Sequence, residues 1–254
     1  MNLSSSARTR VKFEHVSLAF DTPKGKLNVV DDVSYDIHDG DFVAVIGPSG
    51  CGKTTMMSML AGFQRPTIGS VLFDGKPVKG PGPERGVIFQ EYGVFPWLTV
   101  KQNIAFGLRL KANYVPASER DGICEHYLGL MGLSDFANSY PKHLSGGMRQ
   151  RLAIARAYAA KPQFLLMDEP FGALDAQTRA NMQNLLLKVL ATEGKTVMLI
   201  THSVEEAIYL ASRPRDESIQ ELAEYTVLRS HVRELVMNEY RAQQAQVRPV
   251  LFSE

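Results

Sequence analysis

Three short segments hold residues whose types and spacing could do chemistry. Gly47–Thr54, GPSGCGKT, fits G-x-x-x-x-G-K-[ST] and sits between a five-residue apolar run and a Met- and Leu-rich stretch. Its glycines, Gly47, Gly50 and Gly52, let the backbone N–H groups of a loop that also contains Pro48, Ser49, Cys51 and Thr55 wrap around phosphates, with a helix N-terminus behind them. Lys53 is then the candidate for the β- and γ-phosphates, and the Thr54 hydroxyl for Mg²⁺. The loop by itself says nucleoside triphosphate, and would equally suit a kinase or a GTPase. Phe164–Pro170, FLLMDEP, delivers two carboxylates to the end of an apolar run. Asp168 is the expected Mg²⁺ partner, directly or through water, and Glu169 would polarise an attacking water. Alone, an acidic pair is only a helix start with a favourable first turn; beside Gly47–Thr54 it gains a use. Leu144–Arg151, LSGGMRQR, places Ser145 to cap a helix, while Gly146 and Gly147 allow its first N–H groups close approach to a phosphate.

Positioning these groups requires alternating strands and helices. Val11–Phe20 and Val33–Ile37 alternate apolar and polar residues, as half-solvated strands do. Phe42–Ile46 is continuously apolar and predicts a buried parallel strand feeding the loop at 47–54. Thr54–Ala61 reads as helix, Val71–Phe73 as a strand before the Asp74-Gly75 turn, and Gly86–Phe89 as another strand after the Pro/Gly cluster Lys79–Pro83. From Thr99 to about Ala160 the pattern becomes helical, over Val100–Leu110, Ser118–Met131 and Gly147–Ala160, with Pro116 and Pro141 between. Strands return at Phe164–Met167 and Thr196–Ile200, flanking an amphipathic segment, Asp175–Leu190. The expectation is an α/β fold: a mostly parallel sheet with its active site at the carboxyl edge, an N-terminal antiparallel portion and a helical insertion.

Composition excludes several classes. The 254 residues suffice for one large domain, and the charged and apolar fractions are those of a globular protein. A net charge of +1 argues against a nucleic-acid partner. Cys51 and Cys124 lack metal-ligand spacing and any disulfide framework, which fits a reducing cytoplasm. The start, MNLSSSARTRVKF, is no secretory signal, and no run approaches the roughly 20 apolar residues that span a bilayer. Membrane association therefore has to go through a protein partner.

Taken together, GPSGCGKT, FLLMDEP and LSGGMRQR resemble the ATP-binding cassette (ABC) family, and the run from Leu144 through ARAYAAKPQFLLMDEPFGALD matches that family's passage from signature to acidic pair with scarcely a gap. The resemblance implies a fold of the phosphate-loop NTPase type, ATP with Mg²⁺, and a homodimer in which Ser145, Gly146 and Gly147 complete the ATP site of the opposite copy. It also gives single residues a meaning. Gln90, ending the strand Gly86–Phe89, matches the glutamine that senses Mg²⁺ and links to a membrane subunit. His202, after Thr196–Thr201, matches a histidine that contacts the γ-phosphate. Asp175, in GALD, matches a residue that crosses the dimer interface, and Phe20 falls where an aromatic stacks on adenine. Glu169, His202 and Lys53 are thereby the expected catalytic set, and Thr54, Gln90 and Asp168 the expected metal set.

The segment Gln90–Leu98 with Thr99, QEYGVFPWLT, holds the chain's only Trp together with Phe95, Pro96 and Leu98. It reads either as an apolar loop folded onto the helical insertion or as a surface for a membrane permease, since exposed apolar patches mark interfaces. With GPGPERGVIFQ before it and QNIAFGLRL after it, the segment resembles the importer branch for nitrate, sulfonate, taurine and pyrimidine precursors. That branch implies a peripheral subunit on the cytoplasmic face of the inner membrane, and a solute-binding protein served indirectly. The expected domain spans 11–240, with a core of 11–90 and 161–212, a helical subdomain of 91–160 and a C-terminal helix of 216–240.

One departure stands out. After VEEAIYLASR the chain runs directly into PRDESIQELAEYTVLRSHVRELV, where Ser218-x-x-Glu221 reads as a capping box. The strands that the family places here are missing, a loss of about 20 residues or two ordinary strands. A bare sheet edge beside Gly47–Thr54 would follow, unless the N-terminal residues or Val247–Phe252 fill it. The expected function is thus an ATP-hydrolysing importer subunit. The alternatives are a soluble cassette without permease, acting in DNA repair or translation, and a degenerate cassette that does not hydrolyse ATP.

Overall fold

The computed structural model describes residues 8–23, 25–172, 174–211 and 223–246. Alternation builds the first sheet. β1 (Thr9–Thr22) and β2 (Gly25–His38) pair antiparallel from Thr9↔His38 to Thr22↔Gly25, and β4 (Ile68–Phe73) adds to the other side of β1. β5 (Lys76–Pro77) follows through Asp74-Gly75, both left-handed (φ 48° and 72°), as a tight hairpin requires. The order is β2-β1-β4-β5.

The second sheet is wholly parallel. β3 (Phe42–Ile46), β8 (Thr196–Thr201), β7 (Phe164–Asp168) and β6 (Arg85–Ile88) lie in that order. Every residue of β7 and β8 is buried, and the period of two sends alternate side chains to opposite faces. Phe164, Leu166, Met198 and Ile200 pack with Met57 and Leu60 of α1 (Lys53–Ala61) and with Val11, Phe13 and Val71 of the antiparallel sheet. Leu165, Met167, Val197 and Leu199 pack instead with Leu152 and Tyr158 of α4 (Gly146–Ala159) and Leu186 and Leu190 of α5 (Ala176–Glu193). Each such side chain contributes roughly 1.5–3 kcal/mol of burial, so these two strands anchor both layers. A buried cation fastens the layers at one end: the Arg10 guanidinium donates to Asp39 (2.7 Å), Asp74 (2.9 Å) and Gln163 (2.8 Å).

One expectation needs correction. Phe42–Ile46 is a parallel strand but not a buried one; all five residues are only half-buried. β3 is the outermost strand of its sheet, and no further strand pairs with it among the described residues, so its outer backbone edge and flank face outward. α6 (Val204–Ala211) packs on it and in turn meets α7 (Ala223–Gln246), with Arg233 of α7 paired to Glu205. Among the described residues no strand follows β8. The Ser218–Glu221 capping box, the Arg213–Arg215 junction and Val247–Phe252 lie outside the described residues.

The inserted helices are α2 (Val100–Phe106), α3 (Ala117–Leu130) and α4. α2 is shorter than expected: Gly107, a poor helix former, opens a 3₁₀ turn over Gly107–Arg109, and Leu110 is extended. Side-chain caps set three helix starts. Thr99 and Gln102 form a reciprocal capping box on α2, Ser145 caps α4 through Met148 N–H (3.2 Å), and Asp175 caps α5 through Thr178 N–H (3.0 Å).

Candidate active site

The four parallel strands end at one edge, and every end carries at least one of the expected residues: Gly47 after β3, Gln90 after β6, Asp168 and Glu169 at β7, His202 after β8. In the loop, Gly47, Pro48, Gly52 and Lys53 are buried while Ser49, Gly50, Cys51 and Thr54 are exposed; Thr55 is half-buried. Gly50 and Gly52 are left-handed (φ 83° and 96°), and a Cβ on Gly52 would stand 2.6 Å from the Val29 carbonyl oxygen. Only glycine fits there. Gly52 is also the N-cap of α1 and makes no side-chain cap, so no side chain takes up the first-turn N–H groups. That donor set suits an anion. The Lys53 ammonium donates to Gly47 O (2.9 Å) and Pro48 O (2.8 Å), which holds the positive charge within the curl of the loop.

Across the sheet edge, the Thr54 hydroxyl donates to Asp168 Oδ2 at 3.0 Å. Burial pushes the Asp168 carboxyl above the usual carboxylate range, against the Thr54 hydrogen bond, and the neighbouring Glu169 charge pushes the same way. One hydroxyl and one carboxylate fit a hard cation that keeps other ligands from water or phosphate. Among the described residues no group of three or more His, Cys, Asp or Glu forms a cage, so phosphate oxygens are the natural remaining ligands.

Glu169 is the meeting point. Its Oε2 accepts from Gln90 Nε2 at 3.2 Å and lies 3.4 Å from His202 Nδ1. Its backbone is left-handed (φ 41°), a conformation that costs a non-glycine residue about 1–2 kcal/mol, and its N–H is tied to Ile200 O at 2.9 Å. Strain held in place by a neighbouring strand at a site of converging polar groups is a mark of function. Gln90 was expected among the metal ligands; its hydrogen bond goes to Glu169, and among the described residues none joins it to Thr54 or Asp168.

Ser145, Gly146 and Gly147 lie elsewhere, at the start of α4. Ser145 is exposed, Gly146 abuts the Tyr92 hydroxyl and Gly147 abuts Thr178. Among the described residues no hydrogen bond joins them to Gly47–Thr54. Asp175 is exposed, and the hydrogen bond from Thr178 N–H holds its carboxyl below the ordinary range. Phe20 stands on β1 with 41% of its surface exposed, free to offer a ring face.

Spacing gave no sign of several further residues. Arg179, Thr201 and Ser203 line a small pocket with Glu169, Gly172 and His202. Two arginines of α4 sit over aromatic rings of the 91–99 loop, Arg149 over Tyr92 (5.2 Å) and Arg156 over Phe95 (4.8 Å). Only the fold makes these pairs, since each joins residues more than 50 positions apart.

A triphosphate-binding loop, a Thr–Asp pair and a strained, doubly contacted glutamate on a parallel sheet define a phosphate-loop NTPase of the cassette type. Residues 30–172 match the family model described as ABC transporter, and the chain belongs to that family. It is 48% identical to an ATP-binding protein of Brucella abortus, over 89% of this chain and 92% of that one. It is 50% identical to the taurine import ATP-binding protein TauB of Burkholderia pseudomallei, over 78% of this chain and 76% of that one. A solved dimeric ATP-binding cassette in a post-hydrolysis state, bound to ADP and Pi, superposes with a TM-score of 0.69 at 32% identity, over 78% of this chain and 90% of that one. The chain is accordingly an ATP-binding ATPase.

The Brucella comparison also bears on the strands expected after β8, none of which is found among the described residues. It runs over 246 positions yet takes in 89% of the 254 residues, about 226, so about 20 of its positions have no counterpart here, room for two ordinary strands.

Proposed function

We propose that this chain is the ATP-hydrolysing subunit of an importer for a small anionic or zwitterionic solute of the nitrate, sulfonate or taurine class, working as a homodimer against a separate membrane permease. The observation that carries the reading is the convergence on Glu169, where Gln90 and His202 meet one carboxylate oxygen beside the Thr54–Asp168 pair. In this reading Gly47–Thr55 cradle the triphosphate, Lys53 neutralises its outer phosphates, and Phe20 stacks on adenine. Thr54 and Asp168, with Gln90 near the coordination shell, would hold Mg²⁺, which when bound offsets charge developing on the phosphates. Glu169 orients and polarises the attacking water; His202 fixes Glu169 and reaches toward the γ-phosphate. Ser145, Gly146, Gly147 and Asp175 act on the partner copy's nucleotide, which is why they stand apart from the loop within one chain. Dimeric cassettes among the structural neighbours support this.

The catalytic domain is proposed to span 11–240, with its helical subdomain at 91–160. No described helix is long and apolar enough to cross a membrane, so attachment at the cytoplasmic face would run through Gln90–Leu98, with the solute-binding protein engaged only through the permease. A soluble cassette without permease and a degenerate cassette have less support: the relatives include an importer subunit, and the catalytic groups are all present. Replacing Glu169 tests the assignment. Glu169→Gln should bind ATP as the parent does while turnover falls about 10²–10⁴-fold, the scale of general-base catalysis. Parent-like turnover in an ATP assay would remove Glu169 from its role.

A further inference from the structure

The loop that follows Gln90 owes its shape to one buried amide. Asn103 of α2 is 0% exposed. Its Oδ1 accepts from Phe95 N–H at 2.8 Å, and its Nδ2 lies 3.1 Å from Phe95 O, 3.0 Å from Leu98 O and 3.0 Å from Thr99 O. An amide has two N–H groups and one carbonyl, so every hydrogen-bonding atom of this side chain is committed to residues 95–99. Leu98 N–H returns to Phe95 O at 3.2 Å and closes the turn. From the other side the Phe95 ring is held by Phe106 (centroids 4.4 Å apart) and by the Arg156 guanidinium at 4.8 Å.

The product of this clamp runs against ordinary packing. The turn's largest apolar side chain, Trp97, is 68% exposed, while the polar side chain that holds the turn is fully buried. A loop selected only to pack would place them the other way round, since burying an amide costs free energy unless it is fully bonded, and leaving an indole in water forfeits its burial. The same loop begins at Gln90, whose amide donates to Glu169, so anything seated on Trp97 is a few residues from the catalytic carboxylate.

We infer that Asn103 is a positioning residue: it fixes Phe95–Thr99 in the shape that presents Trp97 to the cytoplasmic surface of the membrane subunit. The inference rests on the reading of Gln90–Leu98 as the permease contact. Asn103 is closed to solvent and all its side-chain hydrogen bonds go to residues 95–99, so the loop is the route by which it acts.

The test uses the full chain as Asn103→Ala and as Asn103→Asp; the aspartate keeps the size and the acceptor for Phe95 N–H but loses both donors. Hydrogen exchange is followed at the Phe95 and Leu98 amides, with β7 amides as internal control, together with the membrane subunit captured by the tagged chain from its own membranes. Exchange at Phe95 and Leu98 should rise at least tenfold in the alanine variant, with β7 unchanged, and at Leu98 in the aspartate variant. Capture should fall at least fivefold in both. Parent-like protection at Phe95 and Leu98 would overturn the proposal. So would a loosened loop with undiminished capture, or a loss of protection that spreads to β7 and marks Asn103 as merely structural. If the parent chain captures no membrane subunit, the permease reading itself falls and takes this one with it; capture by the parent but equally by both variants removes only the role of Asn103.

Discussion

Asp168 is held where a carboxylate is uncomfortable. Burial and the Glu169 charge raise its pKa, and the Thr54 hydroxyl and Lys53 only partly offset them. A carboxyl whose folded value lies above its ordinary value near 3.8 binds its proton more tightly in the native state. Its contribution to stability is therefore most favourable below that ordinary value and is lost as pH rises through the folded one, so at neutral pH the ionised group weighs against folding. Asp168→Asn should raise the melting temperature of the nucleotide-free chain at pH 7, lose that advantage at pH 4, and lower ATP turnover at least about a hundredfold. A lower melting temperature at pH 7 would show that the carboxylate is stabilising there. At this scale the sequence was a good guide where chemistry sits inside a contiguous motif, as in Lys53, Thr54, Asp168 and Glu169. It was silent on Asn103, Arg156 and Arg179, whose roles come from partners far along the chain or from a loop whose path only packing determines.

Among the elements, β7 and β8 were legible as strands because unbroken apolar runs bounded by polar residues have few other uses. β3 has the same apolar character and a different fate. Burial of a strand depends on what lies beside it: no described strand lies outside β3, and about 20 positions of the Brucella comparison have no counterpart in this chain. Five half-buried apolar residues, on a strand whose outer edge no described strand covers, directly precede the phosphate loop, and such an edge invites wrong pairing. Inserting the corresponding segment of about 20 residues from the Brucella relative, two strands' worth, between Arg213 and Arg215 should raise the melting temperature and tighten ATP binding. An unchanged or lower melt would mean that β3 is already covered. The capping box of α2 escaped the sequence reading for a simpler reason: Thr99-x-x-Gln102 was in view but fell at the end of an apolar loop, where a helix start competes with a surface patch.

For the whole molecule, one chain is proposed to hold only half of each working site. Within the chain, Lys53, Asp168, Glu169, Gln90 and His202 share one sheet edge, whereas Ser145–Gly147 open α4 on the helical insertion with no hydrogen bond to that edge among the described residues. The proposed symmetric dimer gives this arrangement a use, if its two-fold axis sets each copy's α4 start against the other's loop. Mixing two inactive variants tests whether the site is shared between copies. Lys53→Ala removes the loop cation and Ser145→Arg blocks the α4 start, so each homodimer should be nearly silent. In an equal mixture of the two, half of the dimers are mixed and each regains one intact site, so turnover should return to roughly a quarter of the parent value. Turnover no greater than the sum of the two variants alone, or full activity in Ser145→Arg by itself, would contradict a site shared between copies.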